Sequence, residues 1–165
     1  MLNHPTWTER FAFGRPLDTA ADTSSIRVPR STTALVGRIL IAAIFVISGT
    51  SKLADPTQTA VYMTSAGIPA AHSLAIVAGL GELLGGLMLM FGFLTRIGAL
   101  GLALFLIPTT LLFHRFWALT GQEAQMQLVN FLKNMAIMGG LYGYVAFGAG
   151  RFSIDAKLRT RRSLG

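Results

Sequence analysis

Four long apolar runs constrain the fold of this 165-residue chain more than any other feature of it. Each run is close to the roughly 20 residues that a helix needs to cross a hydrocarbon core of about 30 Å. The runs cover approximately residues 33–53, 72–93, 96–113 and 129–147. A backbone in lipid must satisfy its hydrogen bonds internally, and these runs are too long and unbroken for barrel strands. We therefore predict an all-α integral membrane four-helix bundle.

The composition and the breaks between the runs agree with this prediction. The chain is 52% hydrophobic and 13% charged, whereas about a quarter of the residues of a soluble domain are charged. Asp55-Pro56 is expected to end the first helix, because proline lacks the N–H donor. Gly67-Ile68-Pro69 predicts a turn before the second helix, and the polar stretch between His114 and Asn130 predicts a long connection.

The parts of the chain outside these runs are polar. We predict an amino-terminal tail over residues 1–31, a transmembrane domain over 32–155 and a basic carboxyl-terminal tail over 156–165. Met1–Arg30 contains no apolar stretch of the kind that a secretory signal peptide requires, so the first helix is expected to act as an uncleaved membrane signal.

Lysine and arginine are distributed unequally between the two ends of the predicted bundle. Eleven of the 14 fall on the side of the tails, and the others are Lys52, Arg115 and Lys133. By the positive-inside rule both termini are expected in the cytoplasm. Basic residues beside apolar helices favour contact with anionic lipid over nucleic acid.

Several chemistries are excluded or disfavoured. The chain has no cysteine, so it contains no thiol nucleophile and no cysteine-ligated metal. A haem held by His72 and His114 is disfavoured, since both lie at helix ends rather than inside the bundle. No metal site is predicted.

Glu82 is the most informative residue, because it lies about 15 Å into the second span at 1.5 Å per residue. A carboxylate at this depth needs a partner, a proton or a wet cavity. Lys133 in the fourth span is the predicted partner. We predict an outer-leaflet polar cavity that binds a ligand through Glu82, Lys133, His114, Lys52 and Asn134. The alternative is a buried ion pair that only fixes helix packing, with Lys52 and His114 as ordinary interfacial residues.

A second set of charges is predicted at the cytoplasmic face. It consists of Arg38, Arg96, Arg151 and Asp155. These residues are interpreted as anchors that reinforce orientation, with the Arg38 side chain extending to the interface.

The glycine spacing predicts close helix packing. The pairs Gly81/Gly85 and Gly139/Gly143 each form a small-xxx-small face. Gly79, Glu82 and Gly86 share a face on which a neighbouring helix, or a flat ligand, can approach the carboxylate.

In this order and spacing, several segments resemble the DoxX family. They are Gly37-Arg38, Ser48 through Leu53 with Asp55-Pro56, Ala66 through Pro69, Glu82 through Gly86, Gly92 with Thr95-Arg96, Phe113-His114 with Phe116-Trp117, Asn130 through Asn134, and Gly150 through Asp155. The resemblance spans approximately residues 35–155. It implies a bacterial inner membrane protein of four helices with a loose link to oxidoreductases, since the family is named for a subunit of an archaeal thiosulfate:quinone oxidoreductase. The recurrent polar residues of the family fall on Arg38, Lys52, Glu82, Arg96, His114, Lys133 and Asn134.

The resemblance and the buried charges together lead to a functional hypothesis. The chain is expected to be a subunit of a membrane redox system that binds a quinone-like or other small polar-headed ligand. Its expected partners are the lipid bilayer and either a redox protein or a second copy of the chain. The alternative is a non-catalytic scaffold that anchors a partner protein. A small-solute permease is less favoured, because four helices are few for a transport path. Whether the chain is itself an enzyme is left open.

Overall fold

The computed structural model describes residues 29–162, with only the backbone of Arg162. Residues 1–28 of the predicted amino-terminal tail and the last three residues lie outside this range. All the regular secondary structure in residues 29–162 is helical, and this part of the chain contains no strand. The elements are α1 (Arg30–Ala54), α2 (Pro56–Ser65), α3 (Ala71–Phe91), α4 (Thr95–Phe113), a short 3₁₀ turn (Phe116–Ala118), α5 (Gly121–Phe147) and α6 (Ile154–Arg162). The all-α prediction is confirmed.

Three of the described helices are long and apolar enough to cross a membrane, and they are Arg30–Ala54, Ala71–Phe91 and Thr95–Ala118. These correspond to the first three predicted spans. The fourth predicted span lies within α5, a 27-residue helix of about 40 Å at 1.5 Å per residue. Polar residues, among them Glu123 and Lys133, lower its hydropathy. The count of four spans and the cytoplasmic placement of the termini stay predictions.

The connection between α4 and α5 is shorter than expected. α5 begins at Gly121 rather than near residue 129, so the second half of the predicted loop between His114 and Asn130 is helical. That stretch is rich in glutamine and glutamate, which favour helix as strongly as many apolar residues do. The polarity of this stretch argues against a position in lipid, but it does not argue against a helix.

The helix α2 was not expected either. The Asp55 carboxylate accepts hydrogen bonds from the backbone N–H groups of Thr57 at 3.1 Å and Gln58 at 3.2 Å. Pro56 occupies the first helical position, where its missing N–H costs nothing. Asp55-Pro56 therefore ends α1 as predicted and also starts a new helix.

α1 and α3 form the closest helix pair. A Cβ atom on Gly49 would lie 2.6 Å from the backbone nitrogen of Leu83 and 2.7 Å from the carbonyl oxygen of Gly79. Gly86 meets Phe45 and Val46 of α1 in the same way. The face of α3 that carries Gly79, Glu82 and Gly86 thus lies against α1, which confirms that a helix approaches the carboxylate closely.

The predicted glycine pairs are only partly confirmed. Gly85 packs on Leu102 of α4, but a Cβ on Gly81, Gly139 or Gly143 would meet no atom of the described residues within 4 Å. The predicted packing role of those three glycines is therefore wrong for the described chain. Helical spacing shows which residues share a face, but not whether a neighbouring helix covers it.

Alanine substitutions at Gly49 of α1, which packs against α3, and at Gly81 of α3, which meets no neighbouring helix of the described chain, should distinguish a packed glycine from an unpacked one. We expect Gly49→Ala to lower the free energy of unfolding by about 1–3 kcal/mol, because the added methyl group meets backbone atoms that cannot move independently. Gly81→Ala should be neutral or stabilise the helix by roughly 0.5–1 kcal/mol. Thermal unfolding in a neutral detergent measures both. Equal effects would contradict the packing of Gly49.

The remaining helices complete the bundle in the order α1, α3, α4, α5. Leu89, Leu102 and Leu141 are fully buried at its centre. We call the end of the bundle where α1 and α4 finish, and where α2 lies, the α2 end. The opposite end, where α1 and α4 begin and α6 lies, is the α6 end.

Candidate functional site

The buried carboxylate of Glu82 is paired with Lys52 of α1. The Lys52 Nζ atom lies 2.9 Å from Oε2 and 3.1 Å from Oε1 of Glu82, whose side chain is 6% exposed. The predicted partner was wrong: Lys133 is exposed and donates to Asn130 Oδ1 at 3.0 Å. Glu82 therefore has the charged partner that its depth requires, but the partner comes from α1 and not from α5.

The direction of the Lys52 side chain explains the pairing. Lys52 is in the last turn of α1, yet its ammonium points back along the helix and donates to Ser48 Oγ at 2.6 Å. A Cβ on Gly79 would lie 3.1 Å from the Lys52 Cβ, so the absence of a side chain there leaves room for the lysine stem. The interpretation of Lys52 as an ordinary interfacial residue was therefore wrong. The i, i+4 spacing of Ser48 and Lys52 is the sequence signal for this hydrogen bond.

The ion pair lines a cavity of about 900 Å³ between α1, α2, α3 and α4. The polar part of the lining consists of Ser48, Ser51, Lys52, Gln58, Thr59, Thr109, Glu82 and His114. Apolar and aromatic side chains, including Ile44, Ile47, Phe105 and Phe113, form most of the remainder. The cavity has the size of a small-molecule site, and its wall combines hydrogen-bonding side chains with apolar and aromatic ones.

The cavity opens sideways, on a surface that carries exposed apolar side chains. Ile44 and Ile47 belong to the lining and are 46% and 69% exposed. None of the lining residues in the described chain comes from α5. α5 meets α1 nearer the α6 end, where Tyr144 Oη donates to the Ala34 carbonyl oxygen at 2.9 Å. Ile41 of α1 also lies against Gly140 of α5, and the lining contributed by α1 begins beyond it, at Ile44. Because Ile44 and Ile47 belong to the middle of a helix that is long and apolar enough to cross a membrane, we infer that the opening faces the bilayer.

The α2 helix lies over the cavity at the α2 end. Tyr62 and Phe113 stack with their ring centroids 5.1 Å apart, and Tyr62 Oη donates to the Phe113 carbonyl oxygen at 3.4 Å. Tyr62 is a lining residue that the sequence analysis missed, because α2 itself was not predicted.

His114 reaches the cavity while bonded to α5. Its Nδ1 atom lies 2.8 Å from Gln127 Oε1, and since an amide oxygen only accepts, Nδ1 is the donor in this pair. His72, at the start of α3, is exposed and does not line the cavity.

Lys133 and Asn134 lie outside the cavity. Asn134 is buried and donates from Nδ2 to Thr110 Oγ1 at 3.1 Å, which ties α5 to α4. The structure thus brings together Glu82, Lys52 and His114, and the prediction that all five residues share one cavity was wrong for the other two.

Arg38 is buried at the α6 end and does not extend to the interface as predicted. It is 1% exposed, and it donates to the carbonyl oxygens of Ala149 and Phe152, each at 2.8 Å. These carbonyls follow the end of α5, where helical partners are lacking. Gly92, with φ +67°, packs directly against the guanidinium, and a Cβ there would collide with it.

Asp155 holds α6 to the start of α4. Its carboxylate accepts from the backbone N–H of Leu94 at 2.8 Å and of Thr95 at 3.0 Å, and from Thr95 Oγ1 at 2.7 Å. Arg96 donates to the Ala146 carbonyl oxygen at 3.2 Å, and Arg151 is exposed. Arg38, Arg96 and Asp155 therefore make separate hydrogen bonds, and those of Arg38 and Asp155 connect the carboxyl-terminal segment to the bundle.

The Asp155 contacts predict a pH dependence of stability. Burial by itself would raise the pKa of Asp155, but hydrogen bonds from Thr95 and Leu94 outweigh it and hold the pKa below its usual value. A carboxyl group whose pKa is lower in the folded state than in the unfolded state stabilises the fold. This contribution is complete above the unfolded-state pKa of about 3.9, and it is lost as the pH falls through the folded-state pKa. We expect Asp155→Asn to lower the melting temperature at pH 7, and the difference from wild type to shrink below pH 4. The exposed Glu123→Gln is the control. A difference that does not change with pH would contradict this role.

The long apolar helices and the ion pair in a laterally open cavity define a helical integral membrane protein with a buried polar site. Comparisons with known proteins specify the class. The sequence model of the DoxX family matches residues 33–115. The chain belongs to the DoxX family.

Two relatives extend the match beyond that region. The chain is 31% identical to inner membrane protein YphA of Escherichia coli (strain K12) over 123 residues, which are 74% of this chain and 88% of YphA. It is 39% identical to inner membrane protein YqjF of the same organism over 127 residues, 77% of this chain and 92% of YqjF. No solved structure matches the chain. The relatives and the apolar helices identify a multi-pass inner membrane protein.

Proposed function

We propose that the protein binds a small lipophilic molecule with a hydrogen-bonding headgroup, a quinone being the favoured class, as a subunit of a membrane redox system. The observation that carries this proposal is the Lys52–Glu82 pair in the wall of a cavity of mixed polar and apolar lining that opens sideways, past the exposed Ile44 and Ile47. A ligand dissolved in the bilayer reaches such an opening directly, and the pair meets its polar head.

The cavity residues suit the two carbonyl groups and flat ring of a quinone. The three N–H donors of the Lys52 ammonium face Ser48 Oγ and the two carboxylate oxygens of Glu82. A ligand carbonyl would accept one of these donors in place of a Glu82 oxygen. Phe105 and Phe113 offer aromatic surface to a ring. A quinone supplies two-electron, two-proton chemistry. The electrons would come from a partner redox protein, and the Lys52 ammonium, held in place by the Glu82 carboxylate, is the group that carries protons at the cavity wall.

Extraction of quinones from the purified protein tests this proposal. We expect wild type, isolated in mild detergent, to retain a quinone. Lys52→Met and Glu82→Gln should each weaken its binding by about tenfold, the effect of one hydrogen bond to a charged group. Lys133→Met removes a lysine outside the cavity and is the matched control. Ile47→Trp should weaken binding without changing the ion pair, because it narrows the opening.

Two results would reject the proposal. One is wild-type protein that retains no quinone and binds none in titration, and the other is an equal loss in Lys133→Met. A protein partner that co-purifies equally with wild type and with both cavity variants, together with no quinone, would favour the scaffold alternative.

A further inference from the structure

A second groove lies at the α6 end, between the start of α4 and α6, with a volume of about 400 Å³. Arg96 of α4 and Arg159 of α6 both line it and both are exposed. Among the described residues, Arg96 makes one hydrogen bond, to Ala146. A guanidinium has five N–H donors in a planar fork that matches phosphate oxygens, so donors remain for an external anion.

The groove also contains the Asp155 carboxylate, which could occupy the arginines in place of an external anion. Both oxygens of Asp155 are occupied by the first turn of α4, through Leu94 and Thr95. Asp155 offsets part of the nearby Arg159 charge, but α6 also carries exposed Lys157 and Arg161. The surface around the groove is therefore positive.

Apolar side chains adjoin the two arginines. Leu94, Ile97 and Leu158 line the groove and are 46%, 63% and 46% exposed. α4 begins at Thr95 and is long and apolar enough to cross a membrane, so the groove lies where hydrocarbon gives way to headgroups. A free phosphate ion would contact the arginines alone, whereas a phospholipid also covers the apolar side chains with its acyl chains.

The groove is held in shape before any ligand arrives. The backbone N–H of Asp155 donates to the Gly92 carbonyl oxygen at 2.9 Å, and the Asp155 carboxylate caps α4. Arg38 fixes the segment between α5 and α6. A preformed site loses less conformational entropy on binding.

From these observations we propose that the groove is a binding site for an anionic phospholipid. The phosphate is held between Arg96 and Arg159, and the acyl chains lie along Leu94 and Ile97. This site is separate from the cavity at the α2 end, and it does not depend on the proposed redox function.

Lipid titration of the full chain in neutral detergent, read by native mass spectrometry, tests the proposal. We expect phosphatidylglycerol to bind more tightly than phosphatidylcholine. Arg159→Gln and the double variant Arg96→Gln/Arg159→Gln should reduce phosphatidylglycerol binding by about tenfold or more, because charge-assisted hydrogen bonds are lost. Arg161→Gln, which removes the same charge from α6 outside the groove, and Arg115→Gln at the α2 end should change binding by less than about twofold, as expected for screened surface charges.

Three outcomes would overturn the site. They are equal binding of the two lipids, equal losses in the groove and control variants, and displacement of phosphatidylglycerol by inorganic phosphate at similar concentration. The last would identify a site for free phosphate. If the double variant fails to fold, Arg159→Gln alone decides, because that side chain lies on the exposed surface of α6.

Discussion

Lys52→Met is expected to lower the free energy of unfolding by about 3–5 kcal/mol in neutral detergent, the usual cost of removing one partner from a buried ion pair. The substitution leaves Glu82, which is 5% exposed, without its cation. Ser48 also loses its hydrogen bond to the ammonium. The carboxylate must then take up a proton or draw water into the bundle, and both cost free energy.

A double-mutant cycle measures the pair itself. Lys52→Met/Glu82→Gln removes both charges, so we expect it to recover at least half of the stability that Lys52→Met loses. The matched single control is Lys133→Met, which should change stability by less than about 0.5 kcal/mol because that lysine is exposed. If the double variant is as unstable as the sum of the single variants, the two residues are not coupled and the site lacks its central interaction.

Arg38→Met is expected to cost about 2–5 kcal/mol, since the carbonyl oxygens of Ala149 and Phe152 each lose a charged donor in a buried place. The methionine keeps part of the aliphatic stem and removes the guanidinium. The segment between α5 and α6 is then held mainly through Asp155. We therefore expect both a lower melting temperature and faster trypsin cleavage after Lys157 or Arg159.

Arg30→Met is the control for this substitution. It removes the same charge from the same helix, at an exposed position. Its melting temperature and cleavage rate should stay close to those of wild type. Cleavage that is unchanged in Arg38→Met would show that the carboxyl-terminal segment is fixed by other contacts.

The depth of Glu82 could be predicted from the sequence, whereas the identity of its partner could not. Depth along a helix follows from residue number, and so Glu82 was correctly expected to need a partner. Lys52 and Lys133 lie at similar predicted depths, and depth alone does not distinguish them. Which of the two lysines pairs with Glu82 depends on which helix packs against α3. The close contact of Gly49 with Gly79 and Leu83 places α1 there.

The sequence predicted the features that depend on residues close together in the chain, such as the bounds of the helices. The apolar runs gave α1, α3 and α4 within a few residues, because span length is set by the bilayer. Asp55-Pro56 carries the signal both for the end of α1, which was predicted, and for the start of α2, which was not. Arg38 was misjudged because its acceptors are carbonyl oxygens, which no residue type reveals.

The two acceptors of Arg38 follow it in the chain by 111 and 114 residues. During synthesis, α1 therefore leaves the ribosome long before the atoms that satisfy its guanidinium exist. Until those carbonyl groups are made, the guanidinium needs water or lipid phosphates to satisfy its N–H donors. A chain that stops before Ala149 would therefore lack both carbonyl acceptors of the Arg38 guanidinium.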